Sequence, residues 1–263
     1  MKTALLMSIV TGLILAIGYV LSLLFGVNSL YIVVPVFCVT MVLNLLCYLY
    51  SDRIVLKMYN AHVVSENIAP ELYSKISRLS VKAGLPMPKI AVITSETPSA
   101  FATGRTPENA VVAVTSGALS LLQREELEAV LAHELGHIKN EDMFISTVVA
   151  FMAGIAGSAG MLLASILVPL AVSRNREYAA DKAGAEISGK PHALANALIR
   201  IEESVKQHPM EQGNPATAHL FIVNPFNLER LHRLLYQPIS AHPSTKSRVE
   251  RLRKMAQSLP LTG

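Results

Sequence analysis

No charged residue occurs between Lys2 and Asp52. An apolar run of that length at one end of a chain finds too little protein to bury it in water, so it constrains the fold more than any other feature. It has room for two helices of about 20 residues, each able to cross a hydrocarbon core of roughly 30 Å. Residues 4–25 and 30–50 are the candidate spans, with Gly26, Val27, Asn28 and Ser29 as the turn. No small-residue cleavage site follows a short apolar core, which argues against a signal peptide. Lys2 precedes the first span, Arg53 and Lys57 follow the second, and the turn is uncharged. By the positive-inside rule both ends then face the cytoplasm. The expectation is a multi-pass protein of the cell membrane, with a transmembrane hairpin over 1–51 and a cytoplasmic domain over 52–263.

Composition agrees with a membrane as partner. Hydrophobic residues make up 51% and charged residues 16%, against about a quarter charged in an ordinary soluble domain. The net charge of +4 does not point to nucleic acid, because Trp is absent and no Lys/Arg cluster is interleaved with stacking rings. Cys38 and Cys47 fit neither a CxxC site nor a disulfide framework and read as core or lipid-facing residues.

Past the hairpin, Ile68, Leu72, Ile76 and Leu79 have helical spacing until Gly84 and Pro86 stop it. The β-branched runs "KIAVIT" (89–94) and "AVVAVT" (110–115) read as short strands, joined by "SETPSAFATGRTPEN" as a turn-rich loop. A second helix spans about 124–140. Then come an uncharged stretch, 143–173, a helical segment ending at Gly189 and Pro191, an irregular loop over 204–226 and a helical tail.

The second helix carries "AVLAHELGHIKNED" (129–142). His133 and His137 stand about 40° apart on one helix face, one turn above the other. H-E-x-x-H in this setting supplies two imidazole ligands to a zinc ion, with Glu134 as a base that does not ligate. The competing reading is a chance match on a polar face. However, Leu127, Val130, Leu131, Leu135 and Ile138 already give the helix a buried face without the histidines. A third ligand is then needed. Six residues after His137 stands Met143, and no acidic residue lies between Asp142 and Glu177. Asp142 lies so close along the same helix that it is expected not to fold back. Glu177 is the first acidic residue free to approach from another helix. Asp181, one turn on, could accept the second ring N–H of a ligating histidine. The alternative for Glu177 and Asp181 is a solvated face paired with Arg174, Arg176 and Lys182.

"PSAFATG" (98–104), "AVVAVTSG" (110–117), "HELGH", "SRNREYAAD" (173–181), "NPATAHLF" (214–221) and "HPSTKSR" (242–248) follow one another along nearly the whole chain. In this order they resemble the HtpX-type membrane-bound zinc metalloproteases, a family similar in its core to the CaaX-prenyl proteases. The resemblance implies a mainly α integral membrane protein, in which the N-terminal helical hairpin precedes an α+β zincin-like metalloprotease domain with a small β-sheet. It implies one Zn2+ bound by His133, His137 and Glu177, Glu134 as general base, and His242 and Arg248 as donors to the oxyanion. It further implies protein substrates in or near the membrane, misfolded or damaged ones in a stress-response or quality-control role. Two departures stand out: Ser99 where the family commonly has Asn, and a short apolar insert at 143–173.

The insert poses a topological problem. As one straight helix it would extend about 46 Å and carry Glu177 to the far side of the membrane from His137. The expectation is a re-entrant or membrane-associated helical hairpin. A substrate strand is expected to add along 110–115, taken as an edge strand beside the active-site helix. The readings in competition are a CaaX-type prenyl-protein protease and a non-catalytic zinc-binding membrane scaffold.

Overall fold

The computed structural model describes residues 2–155, 173–211, 213–226 and 243–258. They fall into two compact units, Met1–Ser51 and Asp52–Gly263.

The first unit contains α1 (Lys2–Leu24) and most of α2 (Ser29–Met58). Both are long and apolar enough to cross a membrane. Their large side chains point outward along nearly the whole length. Gly26 makes the reversal at φ +63°, a conformation that favours glycine. The Asn28 side chain then accepts from Leu30 N–H at 3.1 Å to start α2. One polar contact ties the helices together, Asn44 Nδ2 donating to Thr11 Oγ1 at 2.9 Å. The apolar run is therefore a helical hairpin, as the absence of charge requires.

The second unit is built on a four-stranded mixed sheet. Its strands are β1 (His62–Val64), β2 (Lys89–Ile93), β3 (Ala100–Thr103) and β4 (Val111–Thr115), in the order β1-β2-β4-β3. β2 and β4 are parallel, while β1 and β3 run antiparallel to their neighbours. Both faces are covered. Ile90, Val112, Val114, Ala100 and Ala102 pack into the core shared with the helices, and Ala91, Ile93, Phe101, Val111 and Ala113 pack with Val55, Tyr59, Phe221 and Phe226. Burial on two sides explains why β2 and β4 read as unbroken apolar runs.

This order corrects two expectations. The 110–115 strand is central, held between β2 and β3. The edge belongs to β3, inside the segment read as a loop. Thr115 N–H donates to Ser99 O on the β4 side, and Ile222 N–H donates to Ala100 O. By the two-residue period, Ala100 and Ala102 therefore turn their backbone groups to the outer edge.

Among the described residues the remaining helices are α3 (Pro70–Ala83), α4 (Ser116–Leu121), α5 (Arg124–Lys139), α6 (Met143–Ile155), α7 (Arg174–Ser188), α8 (Pro191–Gln207) and α9 (Thr245–Ser258). α3 begins at Pro70, two residues after Ile68, which lies outside it, 71% exposed. α5 is the axis of the unit, buried on nearly every side among the sheet, α3, α7 and α8. A capping box starts it, with the Glu126 side chain accepting from Gln123 N–H at 2.9 Å. Its acidic first turns are anchored outward, Glu128 to Arg78 (2.7 Å) and Lys190 (3.0 Å) and Glu126 to Arg200 (3.0 Å).

The insert begins as α6, whose Met143, Ile145, Val148, Val149 and Phe151 are buried. Thr147 meets Thr103 of β3 at 2.9 Å. Packing against protein thus accounts for its apolar character as far as Phe151. Of the residues expected to turn the insert, Gly154 lies within α6, while Gly157, Ser158 and Gly160 lie outside the described residues, as does His242.

Candidate metal centre and active site

α5 and α7 cross at two glycines. A Cβ on Gly184 would come within 2.8 Å of His133 Cα, and one on Gly136 within 2.9 Å of Ala180 O. Only hydrogen fits there, so the two backbones approach closely at the level of His133. That approach brings Glu177, on α7, to the histidines of α5. His133 Nε2 lies 3.9 Å from one Glu177 oxygen and His137 Nε2 3.6 Å from the other. The ligand atoms of His133, His137 and Glu177 all lie within 4.8 Å of one another.

Each imidazole is oriented from behind. His133 Nδ1 faces Asp181 Oδ1 at 3.1 Å, the partner expected from the one-turn spacing. His137 Nδ1 faces Asp142 Oδ1 at 2.8 Å. Asp142 therefore does fold back, contrary to expectation. α5 stops at Lys139, Glu141 adopts φ +54°, and Asp142 N–H returns to His137 O at 3.2 Å. Both Nε2 atoms are thereby left to point at Glu177, the tautomer arrangement that carboxylate-supported metal histidines use.

Glu177 and Asp181 are buried, so the solvated-face alternative does not hold for them. Their cation is Arg248, on α9. Its Nε and Nη2 donate to Asp181 at 2.8 and 2.7 Å, and its Nη1 donates to Ile222 O at 2.6 Å. Nη1 also stands 3.4 Å from Glu177. Arg248 thus reaches the site: besides the bonds to Asp181 and Ile222, its Nη2 lies 3.4 Å from His133 Nε2, beside the candidate ligand atoms.

Glu134 is buried beside His133 and His137, where the Ala102 backbone approaches it, and among the described residues neither of its oxygens accepts a hydrogen bond of normal geometry. Burial pushes its carboxyl up to about 7, with Glu177 adding to the rise against His137 and Arg248. Burial opposes the charged form of His137, yet Asp142, Glu177 and Glu134 outweigh it and push the ring up to about 10. His133 shifts down, chiefly through burial. Burial would raise Asp181, but Arg248 and His133 hold it down at about 2.

The rise at His137 has its origin in the buried carboxylates around it, Asp142, Glu177 and Glu134. A cleft that draws a proton onto a buried imidazole draws a metal cation equally well. The donor set, two imidazoles and a carboxylate with an unpartnered carboxylate beside them, fits a catalytic metal site.

Residues 66–256 match peptidase family M48. The chain belongs to that family. Curated relatives called "Protease HtpX homolog" extend over nearly all of it. One from Thermococcus kodakarensis is 48% identical over 98% of this chain and 97% of its own length. One from Pyrococcus furiosus is 45% identical over 98% and 96%, and one from Methanocaldococcus jannaschii 40% over 98% of each. Among solved structures, a crystal structure of S. mikatae Ste24p superposes with a TM-score of 0.51 at 20% identity, covering 95% of this chain. This chain spans 64% of that protein's length, and the likeness is one of fold. The M48 chain is thus a membrane-bound metalloprotease that uses a metal cofactor.

Arg176 and His219 also line the cleft beside Ala102, Glu134, His137, Asp142 and Glu177. His219 lies in a 3-10 turn, Pro215–Leu220, inside the segment read as irregular. The "NPATAHLF" motif builds that turn. The Asn214 side chain accepts from Ala216 N–H, Tyr59 and Thr217 share a hydrogen bond, Phe221 stacks edge-on to Tyr59 and Phe101, and His219 Nε2–H meets Ser146 O at 3.0 Å. The motif was visible in sequence, but its place in the cleft depends on contacts far apart along the chain.

Proposed function

We propose that this M48 protease is a zinc endopeptidase in which His133, His137 and Glu177 hold the metal and Glu134 is the general base. The observation that carries the reading is the orientation of the two imidazoles, each with Nδ1 on a carboxylate and Nε2 toward Glu177. When bound, zinc polarises the scissile carbonyl and lowers the pKa of water towards about 7. Glu134 takes the proton from the attacking water and passes it to the leaving amine nitrogen. Asp181 and Asp142 fix the rings, and Arg248 fixes Asp181. A scaffold holding a structural zinc would have no use for Glu134, a buried carboxylate that lines the same cleft without ligating. The substrate chain adds at the outer edge of β3 next to Ala102, which lines the cleft with Glu134.

Residues 1–51 serve as the anchor and 52–263 as the protease domain on the cytoplasmic face, so the substrates are proteins in or near the bilayer, misfolded or damaged ones above all. Changing Glu134→Gln should leave close to one metal per chain and remove nearly all peptide hydrolysis. Hydrolysis at the wild-type rate would sink the assignment. For the topology, a single cysteine at position 28, with Cys38 and Cys47 replaced, should react with an impermeant maleimide added outside intact cells. Labelling only after the cells are opened would reverse the orientation.

A further inference from the structure

The roles above leave Arg176 without one. It directly precedes Glu177 on α7, one trans peptide or about 3.8 Å away between Cα atoms. It lines the same cleft as Glu134, His137 and Ala102. Its Nη1 is buried and meets no hydrogen-bond partner among the described residues. Arg248 is the contrast, because its donors are already engaged by Asp181 and Ile222.

Leaving a buried charged donor unmatched is unfavourable, so a group that enters the cleft and matches it gains by doing so. The neighbours narrow down what that group is. Glu134, Asp142 and Glu177 border the same cleft, and they repel a ligand that arrives carrying a full negative charge. A scissile carbonyl arrives neutral. It becomes negative only as the water oxygen bonds to its carbon and the C=O π pair moves onto its oxygen.

We propose that Arg176 is a catalytic residue that donates a hydrogen bond to that oxygen as the tetrahedral oxyanion forms. The inference rests on the reading of Glu134 and the metal ligands given above. In the step, the water proton goes to Glu134. The C–N bond then breaks as the pair returns to the carbonyl, and the nitrogen takes the proton from Glu134. Arg176 transfers no proton; it holds the charge while that charge exists.

The test is Arg176→Ala in the full-length, metal-loaded protein with an internally quenched peptide. The expected result is a fall in kcat of about a hundredfold or more, the size seen when one oxyanion donor is lost. KM should stay within about threefold and metal content should not change. A phosphinic peptide, which carries a tetrahedral anionic group, should lose affinity by the same factor as kcat/KM. Binding of the uncleaved peptide, measured in a Glu134→Gln background, should not respond. Arg176→Lys should recover part of kcat, which guards against a loss caused by misfolding. A loss confined to KM and shared by the uncleaved peptide would overturn the proposal, and so would wild-type kinetics in Arg176→Ala. If Glu134→Gln itself still hydrolyses peptide, the reading of the whole site falls, an outcome distinct from failure of Arg176 alone.

Discussion

Leu13 in α1 and Val81 in α3 are both largely exposed, 59% and 78%. Leu13 has exposed apolar neighbours along its whole helix, whereas Val81 stands beside exposed Lys82 on a helix whose opposite face is buried. The interiors are reversed as well. In the first unit an amide–hydroxyl bond joins Asn44 to Thr11, while the second buries Glu134, Glu177, Asp181 and Arg248 at its centre. One region is shaped by lipid outside it. The other is shaped by a charge cluster inside it, so equal exposures carry different energies in the two.

The largest expected effect breaks the inner cluster. Arg248→Met leaves Asp181 buried without its cation and should destabilise the second unit by about 3–5 kcal/mol. Thermal unfolding in detergent reads this out, and metal affinity should fall with it. Adding Asp181→Asn should recover part of the stability, because the orphaned charge is gone. A wild-type melting profile for Arg248→Met would show that the cluster is not what holds α7 and α9 together.

Arginine scanning addresses the outer surfaces. Leu13→Arg, at the middle of α1, should cost about 2.5–3.5 kcal/mol in membrane insertion. Val81→Arg should change stability by no more than about 0.5 kcal/mol. An insertion assay and a melting curve measure the two. Equal tolerance at both positions would erase the distinction between the regions.

The smallest effect compares two glycines. At Gly184 an added methyl meets the backbone of His133, so Gly184→Ala should destabilise by about 1–3 kcal/mol and weaken metal binding. At Gly12 nothing lies within 4 Å. Gly12→Ala should be neutral or stabilising by up to about 1 kcal/mol. Calorimetry with metal titration separates them.

The sequence pattern disclosed what was periodic or local. The helical hairpin followed from the missing charges, β2 and β4 from their β-branched runs, and α5 with its histidine pair from a four-residue spacing. Glu177 came by elimination, and the structure brings it to those histidines. β3 was hidden because Ala100, Phe101, Ala102 and Thr103 are few, half of them alanine, and set among Pro, Ser and Gly that read as turn. Asp142 was misjudged because its return depends on Glu141 at positive φ, a conformation rare outside glycine and asparagine. The pairing of Arg248 with Asp181, 67 residues away, is one that no spacing encodes.

The bond from Ile222 to Ala100 has a consequence for how copies of this protein behave when crowded in a bilayer. An exposed sheet edge invites the same edge of another molecule, and strand-to-strand association is the usual route to aggregates. β3 is four residues long, and its outward carbonyl at Ala100 is already occupied by the chain's own backbone. What remains near Ala102 is too short for two copies to zip together on backbone bonds alone. A peptide that is also gripped at its carbonyl can use that short remainder, because its affinity does not come from the ladder alone. On the substrate placement proposed above, β3 thus offers a short edge to a bound peptide without being a template for clustering.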